Sequence, residues 1–185
     1  MKQVLLAFSI LALGLSASAK AVRTTETQYT RTTSVYGGGL QEIQVGAGGG
    51  GSLSTVQIGD STYTSMGLRG SYLYLFDTQI QAGGELIYSS LSGNGLSQSG
   101  LSLVAEGAWN FDSNLDEAFY AKGGLGTFAV INNDGKYDSK FGFFVGAGKR
   151  FPISGLVHYE PEFRLYEKGS NSTFELLFLN LSLIF

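Results

Sequence analysis

The chain closes on Thr173-Phe174-Glu175-Leu176-Leu177-Phe178-Leu179-Asn180-Leu181-Ser182-Leu183-Ile184-Phe185, and the reading of that stretch decides the fold. Leu177, Leu179, Leu181, Leu183 and Phe185 occupy every second position, the period of a β-strand with one apolar face. The other face, Phe178, Asn180, Ser182 and Ile184, is mixed, as suits side chains crowded into a small enclosed space. The same alternation recurs upstream with too few apolar elements to cover it. A lipid bilayer is the expected cover.

Eight such segments can be read. Strand one, Leu40 to Leu53, turns Ile43, Val45 and Ala47 one way and Glu42 and Gln44 the other. Strand two, Tyr63 to Phe76, sets Met66, Leu68, Tyr72, Tyr74 and Phe76 against Ser65, Arg69 and Ser71. Strand three, ending at Ser89, opposes Ile80, Leu86 and Tyr88 to Gln81 and Glu85, and strand four, Leu101 to Phe111, opposes Leu103, Trp109 and Phe111 to Ser102, Glu106 and Asn110. Strand five starts at Phe119, with Ala121 and Leu125 against Tyr120 and Lys122. Strand six, Phe141 to Phe151, carries Phe143 and Val145 against Phe144 and Arg150. In strand seven Val157, Tyr159, Phe163 and Leu165 alternate with His158, Glu160, Glu162 and Arg164, and Thr173 to Phe185 is strand eight. Short turns at Asp77-Thr78, Asp112 to Glu117 and Phe151 to Gly155 alternate with loops at Thr55 to Ser61, Ser90 to Gly100, Asn132 to Lys140 and Glu167 to Ser172.

An even number of alternating strands, with short turns at one end and longer loops at the other, is the layout of a bacterial outer-membrane barrel. The expected fold is therefore all-β: an eight-stranded antiparallel up-and-down transmembrane β-barrel over Leu40 to Phe185. Closure matters because lipid offers no partner to a free backbone N–H or C=O. Eight strands enclose only enough room for their own side chains. Glu42, Glu85, Glu106, Glu160 and Glu162 with Arg69, Lys122, Arg150, Arg164 and His158 are then expected to pair as a lumen network, since an unpaired buried charge costs several kcal/mol. A filled lumen argues against a water-filled pore. Tyr74, Phe76, Trp109, Phe111, Phe119, Phe151, Tyr159 and Phe185 all fall at tight-turn ends and are expected to form a periplasmic aromatic girdle. Pro161 removes one ladder hydrogen bond, so a bulge is expected in strand seven. Lys149, on the lipid face near a strand end, is expected to extend its ammonium into the head groups.

The other end of the chain gives the same address. Met1-Lys2-Gln3, the apolar run Val4 to Leu15 and the small residues Ala17-Ser18-Ala19 read as a signal peptide cleaved after Ala19. The apolar run is too short to span a bilayer as a helix. Lys20 to Gly39 is polar and rich in threonine, and is expected to be an extended periplasmic tail. Taking nineteen residues from 185 leaves 166, enough for one domain, and losing Lys2 leaves 11 basic against 15 acidic side chains. That mild acidity excludes a nucleic-acid binder. With no cysteine, neither a lipoprotein anchor nor a disulfide framework is available.

The signal, the eight strands, Val145-Gly146-Ala147-Gly148-Lys149-Arg150-Phe151, His158-Tyr159-Glu160-Pro161-Glu162-Phe163-Arg164-Leu165-Tyr166 and the terminal Phe185 together resemble the OmpA/OmpX-type and opacity-porin-like small outer-membrane barrels. Members serve as envelope scaffolds, adhesins and resistance factors. The resemblance implies lipid and lipopolysaccharide as surroundings, a monomer, and barrel-assembly machinery that reads the last strand through Phe185. No peptidoglycan-binding domain is expected after the barrel, unlike OmpA.

No catalytic motif survives its context. Gly46-Ala47-Gly48-Gly49-Gly50-Gly51 formally matches GxGxxG, but no helix follows. In Gly148-Lys149-Arg150 the P-loop pattern fails, with Phe143 at the first glycine and Arg150 at the Ser/Thr. Asp134 and Asp138 match no calcium-loop spacing, so no metal or cofactor is expected. Eight-stranded lipid A deacylases carry His-x-Ser, where this chain has His158-Tyr159-Glu160. The expected role is non-enzymatic, structural or surface-interacting. The alternative is a binding module built on Ser90 to Gly100 and a Lys136/Lys140/Lys168 rim, with a narrow-solute channel or a lipid A enzyme behind it.

Overall fold

The computed structural model describes residues 39–47, 53–58, 60–77, 79–131, 136–169 and 171–185. The leader, Lys20 to Gly38, Gly48 to Gly51 and Asp134-Gly135 lie outside the described residues. Twelve strands follow in order among the described residues: β1 Gln41–Ala47, β2 Leu53–Ile58, β3 Ser61–Leu75, β4 Ile80–Gly93, β5 Leu96–Asn110, β6 Phe119–Ile131, β7 Tyr137–Lys149, β8 Phe151–Ser154, β9 Val157–Tyr159, β10 Glu162–Lys168, β11 Asn171–Leu177 and β12 Asn180–Ile184. Among the described residues no helix is long and apolar enough to cross a membrane, which says nothing of strands.

Neighbouring strands among the described residues run antiparallel, in the order β11-β10-β7-β6-β5-β4-β3-β1-β12-β9-β8, with β2 on β3. The pairing of β1 with β12 joins the first described strand to the last and curls the sheet into an all-β barrel. Gln41 and Phe185 exchange both backbone bonds, at 2.8 and 2.9 Å. Gly39, Phe185 and the connections after β3, β5 and β8 share one end, the terminal end. The hairpins after β2, β4, β6 and β10 share the other, the hairpin end.

The breaks have a local cause at Pro161. Gly148 faces Glu162 and Phe151 faces Tyr159 in one unbroken register, and Lys149 N–H donates to Pro161 O at 3.3 Å. Proline has no N–H to return, so the ladder thins there. On the other side Glu162 faces Leu177 while Glu160 N–H donates to Asn180 O at 2.9 Å. Phe178 and Leu179 therefore stand together opposite Pro161, the geometry of a β-bulge. The expected bulge lies in the facing strand instead of the proline's own. It also reverses the alternation of the last stretch: Leu177, expected outside, is 3 % exposed, whereas Phe178 and Leu179 are 60 % and 66 % exposed.

The hairpin-end strands run further than the hydropathy pattern predicts. Ser90 to Gly100, expected as a loop, is a ribbon pairing Ser90 with Ser99 and Gly93 with Leu96. Its two-residue turn, Asn94 (φ 49°) and Gly95 (φ 78°), takes the type I′ conformation that Asn-Gly favours. β2, the start of β7 at Tyr137 and the end of β10 at Lys168 likewise extend into expected loops.

Candidate functional site

The barrel interior is the candidate site. A period of two sends alternate side chains inward from each wall strand. Glu42, Arg69, Glu85, Glu106, Lys122, Arg150, His158, Glu160, Glu162 and Arg164 are all buried. They form two hubs, one above the other.

Toward the terminal end, Arg150 is the centre. Its Nε donates to Glu160 at 2.8 Å, Nη2 to Glu42 at 2.8 Å and to Gln81 at 3.0 Å, and Nη1 to Asn110. Gln44 bridges Glu42 and Glu160 at 2.9 and 2.8 Å and accepts from Lys122 Nζ at 2.6 Å. Ser182 adds a hydroxyl to Glu160 at 2.7 Å. The guanidinium plane lies 4.8 Å from the Tyr120 ring centroid. A planar five-donor fork suits this many acceptors where a lysine would not.

Arg164 centres the second hub. It bonds Glu162 and, at 2.6 Å, Glu85, which Arg69 Nη2 also approaches at 2.6 Å. Lys122 Nζ lies 3.6 Å from Glu162, and Tyr120 donates its hydroxyl to the same carboxylate at 3.1 Å. Glu106 is different. Its nearest ion-pair contact, Arg164 Nη2, is 3.7 Å away, and neither of its oxygens accepts a hydrogen bond.

Apolar layers cap both hubs. On the hairpin side Ile87, Val104, Phe128, Phe144 and Tyr166 pack together, with Arg164 stacked 4.1 Å from the Phe144 centroid. Gly124 makes room, because a Cβ there would stand 2.4 Å from Phe144 Cε1. On the terminal side Leu115 folds in from the connection between β5 and β6 to meet Leu75, Ile184 and Leu40. Leu115 went unread because a lone leucine amid Asp112, Ser113, Asn114, Asp116 and Glu117 carries no periodicity. The amides Gln44, Gln81 and Asn110 went unread as network members because hydropathy counts them only as polar.

His158 is buried, with Nε2 2.9 Å from Asp116 Oδ1. Ser182 faces it across β9 and β12 yet gives its proton to Glu160. Among the described residues no three His, Cys, Asp or Glu side chains group as metal ligands.

The outer surface reverses the interior. Phe76, Trp109, Phe111, Phe119 and Phe151 are exposed at the terminal end, with Tyr74, Tyr159 and Phe185 at the same level. Tyr74 meets Phe76 edge-on at 5.0 Å, and the Lys149 ammonium lies over Phe119 and Phe151 at 4.7 and 5.0 Å. At the hairpin end Lys140 pairs with Asp138 at 2.7 Å. That bond and the Ser139 N–H hold the Asp138 carboxyl below its ordinary range. Lys168 lies over the Tyr166 ring at 4.2 Å, with Glu175 3.9 Å away. Lys140 and Lys168 are thus already engaged.

These features define the class as an antiparallel β-barrel. Among solved structures the chain is similar to the N-terminal β-barrel domain of Pseudomonas aeruginosa OprF, at 14 % identity and a TM-score of 0.55, over 81 % of this chain and 100 % of that one. No protein-family model matches the sequence, and no curated protein does.

Proposed function

We propose that this protein is a monomeric, eight-stranded transmembrane barrel of the bacterial outer membrane, with a lumen closed by its own side chains and a non-enzymatic structural role in the envelope. The strand count follows from taking β1 with β2, β7 with β8, β9 with β10 and β11 with β12 as single staves interrupted by an insertion, a proline or a bulge. The observation that carries the reading is the inversion of the wall. Leu101, Leu103, Leu125, Phe143 and Val145 point outward and exposed while, among the described residues, eleven Glu, Lys, Arg and His side chains are buried. In water that arrangement exposes far more contiguous apolar surface than a soluble monomer tolerates, whereas lipid covers it.

In this reading the terminal end faces the periplasm and the aromatic ring sits at the inner head-group level. The hairpin end meets lipopolysaccharide, and the assembly machinery engages the strand that ends at Phe185. A folded outer-membrane fraction should run faster on a detergent gel before heating than after. Purified barrel in planar bilayers should give no stepwise conductance. A chain recovered folded without detergent or phospholipid overturns the proposal, and steady conductance overturns the closed lumen.

A surface-binding role is the second reading, favoured by the ribbon Ser89 to Gly100 beyond the apolar wall. Deleting Ser92 to Ser97 without effect on whole-cell attachment removes it.

A further inference from the structure

A concavity of about 300 Å³ lies on the outer wall beside the bulge. Its shape follows from register. Phe119 faces Lys149 across β6 and β7, Ala121 faces Ala147 one step inward, Ala147 faces Phe163, and Phe163 faces Leu176. Ala147, Gly148 and Pro161 therefore form a low floor between Phe119 on one side and Phe163, Leu176 and Phe178 on the other. Phe178 continues the outward series of Phe174 and Leu176 and forms the last wall where the bulge begins.

At the mouth stands Lys149. Its ammonium is held over the Phe119 and Phe151 rings, and among the described residues no carboxylate lies within ion-pair distance of it. An apolar trough about one side chain deep, with a single cation at its aromatic-ring end, matches a molecule with a hydrocarbon tail and an anionic head.

We propose that this groove holds one glycerophospholipid of the periplasmic leaflet, its phosphate on Lys149 and an acyl chain between Phe119 and Phe163. The inference rests on the outer-membrane reading above, which sets that leaflet against the terminal end. In hydrocarbon, fit and head-group charge decide which lipid stays, because tails are as apolar as the wall.

The test uses the full chain folded in neutral detergent, titrated with phosphatidylglycerol or with uncharged diacylglycerol and read by native mass spectrometry. The wild type should retain one phosphatidylglycerol and no diacylglycerol. Lys149→Gln should weaken retention about fivefold, the factor one lysine near an anionic surface supplies. Ala147→Phe, which fills the floor, should abolish it. A heat-modifiable gel shift in both variants shows that the barrel still folds. Equal retention by both variants, equal retention of diacylglycerol, or a dimer lost on Ala147→Phe in place of a lipid adduct each overturns the inference. A barrel that shifts on heating yet keeps no lipid overturns the inference alone, whereas a chain soluble without detergent overturns both.

Discussion

Arg150 and Arg164 are both fully buried guanidinium groups in one lumen, yet their surroundings differ. Around Arg150 the hydrogen-bonding is nearly saturated: two carboxylates and two amides accept from it, Gln44 and Ser182 bond those carboxylates in turn, and Lys122 donates to Gln44. Around Arg164 it is looser. Arg164 Nη2 and both Glu106 oxygens make no hydrogen bond, and the short approach of Arg69 to Glu85 is an ion pair without aligned hydrogen bonds. What the second hub lacks in polar partners it has in contact with rings, through Phe144 and the aromatic layer behind it. One half of the lumen is therefore fixed by directional bonds, and the other by packing.

The largest expected effect comes from removing the first hub's centre. Arg150→Met leaves Glu42 and Glu160 buried side by side without their cation, a loss of roughly 3–5 kcal/mol. Urea unfolding in lipid vesicles, followed through the single tryptophan, Trp109, reads it directly. A loss below that of Arg164→Met would reverse the ranking of the two hubs. Phe144→Ala comes next, at about 3 kcal/mol, because it opens a cavity against Phe128 and Tyr166 and uncovers one face of Arg164. If packing governs that half, Phe144→Leu recovers much of the loss while Phe144→Gln does not.

The terminal-side cover gives a smaller effect. Leu115→Ala should cost about 2 kcal/mol, and should speed hydrogen exchange at the terminal-end backbone before it alters the hairpin end. Uniform acceleration over both ends would mean that the cover belongs to the global fold.

How much of this was legible follows the same division. Inward charges announce themselves wherever they alternate with apolar neighbours, as in His158 to Tyr166, so the sequence placed all ten in one interior. It could not pair them, because pairing joins residues such as Glu42 and Arg150 that are 108 positions apart. The ends of the strands were also hidden. Past the apolar band both faces of a ribbon can be polar, so Ser90 to Gly100 loses its periodicity and only Asn94-Gly95 signals the hairpin. Pro161 predicts a bulge, but a proline cannot say which strand absorbs the extra residue. The bulge fell on Phe178-Leu179, which is why Leu177 lies inside although it is in phase with Leu179 and Leu181.

Glu106 gives the finest separation between the two halves. Like Glu42 it is a buried carboxylate, on β5 where Glu42 is on β1. Glu42 accepts from Arg150, Gln44 and Gln81, so Glu42→Gln replaces a charge that several donors address and should cost about 2–3 kcal/mol, the range for hydrogen bonds to charged groups. Glu106 accepts none, and Glu106→Gln exchanges a poorly solvated charge for a neutral amide of the same shape. Its effect should stay under about 1 kcal/mol in either direction. Equal losses for the two variants in the same vesicle assay would show that the lumen responds to its total charge and not to the bonds each carboxylate makes. In that case the contrast between a bonded half and a packed half would not describe what stabilises the barrel.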